Sequence, residues 1–333
     1  MNIVKKIGLR LGLLTLIVSI SNSVYKFTFY QSDILENGNL LQKLETGLNS
    51  SDILLFSSSP NRAHPLTDVD TRSISKIIDD NLPKLTLTAI DTGAIHAGVF
   101  KKIINLIPKY SNLKYIIVNM NYRSFGIGWI MSDLENSIAK QSVFYSNYLP
   151  IINRLLQGLN YYKAIPNSER QQLMISSWKN SNLPFPPPKN TVQKWCGVEK
   201  WGDWTDPKRN LADHFIKNYA FVLNKDNIRV KDFDEIVDVV KNKNIQLIFN
   251  ILGENIEKTN YLVDTDLTDL MIQNKNYLIK RYSKQGVIIV DNFNLIPDSC
   301  FYEKNFPTEH YTYIGREIIA KNIVQTINDL EKN

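Results

Sequence analysis

The chain has 333 residues, 43% hydrophobic and 22% charged, which excludes a disordered or fibrous chain and leaves room for one large folded domain. Its formal net charge of +6 comes from 39 basic and 33 acidic residues scattered along the chain. No block of Lys and Arg interleaved with aromatics marks a nucleic-acid groove, so no nucleic-acid partner is expected.

The N-terminus carries Lys5, Lys6 and Arg10 ahead of the apolar run Leu11 to Ile20, LGLLTLIVSI, and the polar SNS. A positive end followed by an apolar run predicts a signal peptide or an uncleaved signal anchor, a transmembrane helix in the second case, over 1–28. The rest of the chain is then exported, either periplasmic or extracellular or held at the membrane by its N-terminus. The alternative is a buried helix of a soluble protein. Residues 29–50 are polar and predict a stem.

From 51 to 330 the pattern is that of a single α/β domain. Ile53 to Phe56 is an apolar run without alternation, as in a strand buried on both faces of a parallel sheet. Ser57, Ser58 and Ser59 follow it at once, and SISKII after Thr67 has helical spacing. Further strands are predicted at Leu85 to Ile90, Tyr115 to Val118, Ile245 to Ile251 and Val287 to Val290. Helices are predicted at Val99 to Ile107, Phe233 to Val240, Asp266 to Tyr282 and Thr312 to Ile327. Strand, loop and helix repeating in this way predict βαβ units.

Between about 129 and 229 the pattern changes to a mostly helical insertion rich in Tyr, Trp, Asn and Pro. Its Trp195, Trp201 and Trp204 make either a small satellite core or a sugar-stacking wall. His64, His96, His214 and His310 show neither HxxxH nor HExxH spacing, so no metal site is expected. Cys196 and Cys300 lack CxxC spacing and form one disulfide on export or stay separate thiols.

Loop residues at successive sheet edges supply the chemistry of a nucleophilic hydrolase, which needs a hydroxyl, a base, a group that orients the base, and oxyanion donors. In chain order they are Ser57 to Ser59 after the first strand, Gly93 after the second, Asn121 in NYRSF after the third, Asp291 after the last and His310 in TEH before the final helix. This order resembles the SGNH/GDSL hydrolase superfamily, in particular its divergent, polysaccharide-modifying relatives of the cell envelope. The resemblance implies a flavodoxin-like three-layer α/β/α fold with a parallel sheet. It assigns Ser59, in the place of the G-D-S triplet, as nucleophile, with Ser58 the fallback. Thr67-Asp68 resembles the T-D that often follows. Gly93, with Gly98 as the lesser match, supplies an oxyanion amide. The NYRSF stretch makes Asn121 the side-chain donor and Asn119 its competitor. His310 is the general base.

Pro307 stands where the D-x-x-H block has its aspartate, so the orienting acid falls to the adjacent Glu309, with Asp291, Asp298 or a backbone carbonyl as substitutes. Arg123 is a candidate contact for a substrate carboxylate, with a structural ion pair as its other reading. His96 has no catalytic role in this scheme. The resemblance implies an exported serine esterase or O-acyltransferase without cofactor, acting on an acylated glycan or small ester. The rival is an inactive protein of the same fold that binds glycan or a partner in polysaccharide assembly.

Overall fold

The computed structural model describes residues 3–36, 40–198, 211–303 and 306–332. Five strands form one sheet: β1 (Ile53–Ser57), β2 (Leu87–Asp91), β3 (Tyr115–Met120), β4 (Gln246–Ile251) and β5 (Ile288–Asp291). All neighbours are parallel, in the order β2-β1-β3-β4-β5, with Ser57 opposite Asp91, Ile53 opposite Tyr115 and Ile251 opposite Asp291. The chain leaves β1 for β2 on one side and reaches β3 on the other. The order therefore reverses at the carboxyl end of β1, the place where open α/β sheets bind ligands.

Helices before and between the first strands are α1 (Ile3–Thr28), α2 (Tyr30–Glu36), α3 (Leu40–Ser50), α4 (Ile74–Asp80) and α5 (Ala97–Asn105). Between β3 and β4 lie α6 (Ile127–Ile130), α7 (Leu134–Ser142), α8 (Pro150–Gly158), α9 (Asn167–Lys179), α10 (Val192–Cys196), α11 (Leu211–Tyr219) and α12 (Ile228–Lys241). The chain ends in α13 (Ile256–Leu262), α14 (Thr265–Ser283) and α15 (Tyr313–Lys332).

Alternate strand residues point to opposite faces, and both faces are covered. Leu54, Phe56, Ile116, Val118 and Phe249 pack with α5, α12 and α14, while Ile53, Leu55, Ile117, Ile248 and Val290 pack with α4 and α15. This is the expected three-layer α/β/α architecture with a parallel sheet. Double-sided burial is also why the strands read as unbroken apolar runs.

The polar stretch before β1 differs from the stem expected there. Residues 40–50 form α3, whose Leu40, Leu41 and Leu44 are buried. Gly47 lets it lie flat on the sheet, since a Cβ there would clash with Leu54 and Thr88. Trp195 is fully buried, edge-on to Phe185 with ring centroids 5.3 Å apart, which makes it core rather than a sugar platform. Trp201 and Trp204 lie outside the described residues. Cys196 and Cys300 are both free thiols and pack with opposite faces of the sheet. Among the described residues no helix is long and apolar enough to cross a membrane, so the spanning helix expected at the N-terminus is not among them.

Candidate active site

Ser59 opens a single 3₁₀ turn, Ser59–Asn61, at the end of β1. Ser58 is buried, while Ser59 is only half-buried. The Ser58 carbonyl accepts the Asn61 N–H at 3.2 Å, and the Ser59 carbonyl accepts from Arg62 and Ala63 at 2.9 and 2.8 Å. The turn thus fixes the backbone on both sides of the hydroxyl.

His310 lies in the extended segment before α15. Its Nε2 is 3.0 Å from Ser59 Oγ, hydrogen-bond distance for a base and a hydroxyl. Its Nδ1 is 2.8 Å from Glu303 Oε2. The antiparallel bridge between Phe301 and Tyr311 explains this placement. It lays residues 302–303 beside 310, and Tyr302 N–H donates to the His310 carbonyl at 3.3 Å. The Tyr302 ring stacks on the imidazole, with centroids 5.7 Å apart and planes 14° from parallel. Serine, histidine and glutamate therefore form one hydrogen-bonded line, provided Nδ1 carries the proton and Nε2 accepts.

The acid in that line is Glu303, not Glu309. Neighbouring side chains in an extended segment point to opposite faces, so while His310 faces Ser59, Glu309 turns into the protein and is 1% exposed. There it accepts from Arg123 Nε at 3.2 Å, from an Arg123 terminal nitrogen at 3.1 Å and from Asn121 Nδ2 at 2.7 Å. Arg123 is buried too, with its guanidinium over the rings of Trp129 and Phe306 at 5.1 and 5.6 Å. It is a structural ion pair rather than a hand held out to substrate. Asp291 pairs with Lys275 at 2.8 Å and Asp298 accepts from Asn255 at 2.8 Å. Neither bonds to His310.

A second buried carboxyl adjoins this pair. Glu254 is fully buried and accepts from the Tyr219 hydroxyl at 2.5 Å, while its other oxygen has no partner among the described residues. Burial, reinforced by the charge of Glu309, pushes its carboxyl well above the usual range. One guanidinium thus lies near two carboxyls, and it is Glu309 that it pairs with directly, at 3.1 Å.

The oxyanion candidates fare unequally. Gly93 sits exposed just beyond β2, with nothing near the Cβ it lacks. Its close-packed alternative, Gly98, abuts Asp232 and His96, so it is there for packing. Asn121 caps the 3₁₀ turn Tyr122–Phe125 through Oδ1, which accepts the Ser124 N–H at 3.1 Å. One of its two amide hydrogens goes to Glu309 and leaves a single donor for any other partner. Asn119 is buried and donates to Ser57 Oγ at 2.7 Å.

That last bond ends a ladder that crosses the sheet. Asn322 donates to Asn292, Asn292 to Asn250, Asn250 to Asn119 and Asn119 to Ser57, at 2.6, 2.7, 2.8 and 2.7 Å. Ser57, Asn119, Asn250 and Asn292 are all buried, and each amide satisfies the next, so the ladder braces the carboxyl end of β1 under Ser59. From the other side, buried Arg316 on α15 donates to Asp68 Oδ2 at 3.1 Å and to the carbonyls of Asp70, Arg72 and Tyr311. It ties the segment that follows Ser59 to the one that follows His310.

Asp91 at the end of β2 is buried. Burial opposes its ionisation, but Arg62 at 2.5 Å, Lys43 at 2.7 Å and Asn61 at 2.7 Å outweigh it and hold the carboxyl below its usual range. His96 caps α5, Nδ1 accepting the Gly98 N–H at 3.1 Å, and its Nε2 meets Glu135. Burial, with Arg229 nearby, lowers its basicity, as suits a structural cap. No group of three His, Cys, Asp or Glu among the described residues could hold a metal ion.

Sequence reasoning missed Glu303 and Tyr302. They stand seven and eight positions before His310, and only the bridge between Phe301 and Tyr311 makes them its neighbours. No spacing rule in the sequence carries that signal.

No family model matches the chain, and no curated protein sequence matches it either. Among solved structures it is similar to a lipase/acylhydrolase from Enterococcus faecalis, at 9% identity and a TM-score of 0.38, over 83% of this chain and 94% of that one. At that distance the reading of the site rests on its own geometry.

Proposed function

We propose that the chain is a serine esterase or O-acyltransferase of the SGNH type, with Ser59 as nucleophile, His310 as general base and Glu303 as the acid that orients it. The observation that supports this reading is the line of contacts from Ser59 Oγ to His310 at 3.0 Å and on to Glu303 at 2.8 Å. His310 Nε2 takes the hydroxyl proton as Oγ attacks an ester carbonyl. The carbonyl oxygen becomes an oxyanion, held by the amides of Ser59 and Gly93 and the remaining Asn121 hydrogen. Collapse breaks the C–O bond, and His310 gives its proton to the leaving alcohol. Water then attacks the acyl-serine to complete hydrolysis, or a sugar hydroxyl attacks to complete transfer. Glu303 keeps the Nδ1 proton in place and offsets the charge on the imidazolium.

The substrate class we assign is an acylated surface glycan or a small ester, and the place of action is outside the cytoplasm, at the membrane. Both follow from the N-terminal segment and the sequence resemblance.

Hydrolysis of a soluble chromogenic acetate ester by the full chain tests this reading. Turnover that falls about 10³-fold or more in Ser59→Ala, with unchanged melting temperature, agrees with it. Turnover equal in wild type and Ser59→Ala contradicts it. One observation favours the non-catalytic alternative, namely the engagement of Asn121 with Glu309, which leaves the oxyanion site a donor poorer. Glycan binding by a protein with no esterase activity is its expected outcome.

A further inference from the structure

Helix α8 is inside out. An amphipathic helix on a protein surface buries its apolar stripe, yet α8 buries Asn153 and Gln157, each 4% exposed, and turns Leu155, with Leu159 just after its end, outward at 56% and 68%. The inward amide is useful there, since Asn153 Nδ2 donates to the carbonyls of Phe144 and Ser146 at 3.3 and 2.9 Å. The outward leucines stay largely exposed beside α1. Tyr148 and Tyr161, just before and after the helix, are likewise mostly exposed.

Helix α1 lies against this same face. Ile17 and Val18 border a shallow groove with Ile151, Ile152, Leu155 and Leu159. Asn22 Oδ1 accepts the Ile151 N–H at 3.2 Å, and Asp33, just beyond α1, pairs with Arg154 at 3.0 Å. The apolar residues of α1 lie on all sides of the helix and most are exposed. Leu9, Leu11, Leu14, Leu16 and Ile20 are all more than half accessible. A continuous apolar surface of this kind marks an interaction face.

We propose that α1 and the outward face of α8 form one surface that embeds in an anionic lipid bilayer. The charge pattern selects this occupant. Within α1 there are four cations, Lys5, Lys6, Arg10 and Lys26, and no acid, which complements anionic headgroups and offers a second copy of the chain no countercharge. With nine residues, α8 is far shorter than the roughly 20 needed to span. Its leucines enter the boundary between headgroups and acyl chains, and Tyr148 and Tyr161 sit at its two ends as aromatic anchors. The folded domain is therefore held against the membrane by its own helix and not merely tethered by α1. This extends the membrane location proposed above and is independent of Ser59 chemistry.

Flotation of the full chain with vesicles tests it, using an equal mixture of phosphatidylcholine and phosphatidylglycerol against phosphatidylcholine alone. Binding is expected to the anionic vesicles and to weaken by about tenfold or more in Leu155→Asp with Leu159→Asp, while hydrolysis of a soluble ester stays unchanged. In a second measurement, a solvatochromic dye on Leu159→Cys, in a chain carrying Cys196→Ala and Cys300→Ala, is expected to shift to the blue and be quenched by lipid-borne quenchers. A dye that stays in water on vesicle-bound protein overturns the role of α8. Absence of vesicle binding, or a lipid-free dimer that shields Leu159, overturns the proposal as a whole, and neither result touches the reading of Ser59.

Discussion

Two adjacent residues, Glu309 and His310, show how differently one segment can serve its two sides. On the outer side His310 meets Ser59 and Glu303 among half-buried groups, with Glu303 41% exposed. On the inner side Glu309 is sealed with Arg123, Asn121 and, nearby, Glu254. The inner cluster fixes the segment, and the outer line holds the groups proposed to do the chemistry. Position in the chain does not distinguish the two glutamates; burial and partners do.

This contrast can be broken from either side. Removing the inner acid carries the largest effect on the fold. Glu309→Ala leaves the buried Arg123 guanidinium without its counter-ion and is expected to cost about 3–5 kcal/mol of stability by chemical denaturation. Equal stability in the variant would mean that the pair does not hold the segment.

Removing the outer acid should do the reverse. Glu303→Gln is expected to lower kcat about 10²-fold, less than for a fully buried acid because water can partly replace the carboxylate. KM and melting temperature should hold. A variant with unchanged kcat would show that the backbone or Tyr302 orients the imidazole instead.

The smallest effect sharpens the comparison through pH. The Glu254 carboxyl sits well above its ordinary value of 4.5, so the folded chain keeps a proton there that the unfolded chain releases. Stability from this group therefore falls as pH rises above about 4.5 towards the folded value. Glu254→Gln carries no such proton, so its melting temperature should gain on wild type as pH is raised through neutrality. A difference that is constant with pH would place an ionised Glu254 in the native state.

Much of the fold was legible because the central strands β1, β3 and β4 are buried on both faces. Ile53 to Phe56 and Tyr115 to Val118 could be read as runs, and β1 and β3 extend them by one and two residues. The stretch at 40–50 was not legible. LLQKLETGLNS is polar on balance, and its Leu40, Leu44 and Gly47 spacing gains meaning only once a sheet lies beneath it. Ser59 and His310, which the fold brings to 3.0 Å of each other, could be singled out because each follows or precedes a regular element with strong signals. Glu303 could not, because a single bridge between Phe301 and Tyr311 brings it to His310. Arg123 and Glu309 drew functional readings because charge is visible in a sequence and burial is not.

The central claim is that Ser59 is an activated hydroxyl and His310 is what activates it. Treatment of the folded chain with a fluorophosphonate, followed by peptide mass analysis, tests this most directly. The account predicts a single covalent adduct on Ser59 that is lost in Ser59→Ala and in His310→Ala while both variants keep the wild-type fold. A wild-type chain that stays unlabelled while natively folded, or an adduct that persists in His310→Ala, would contradict it.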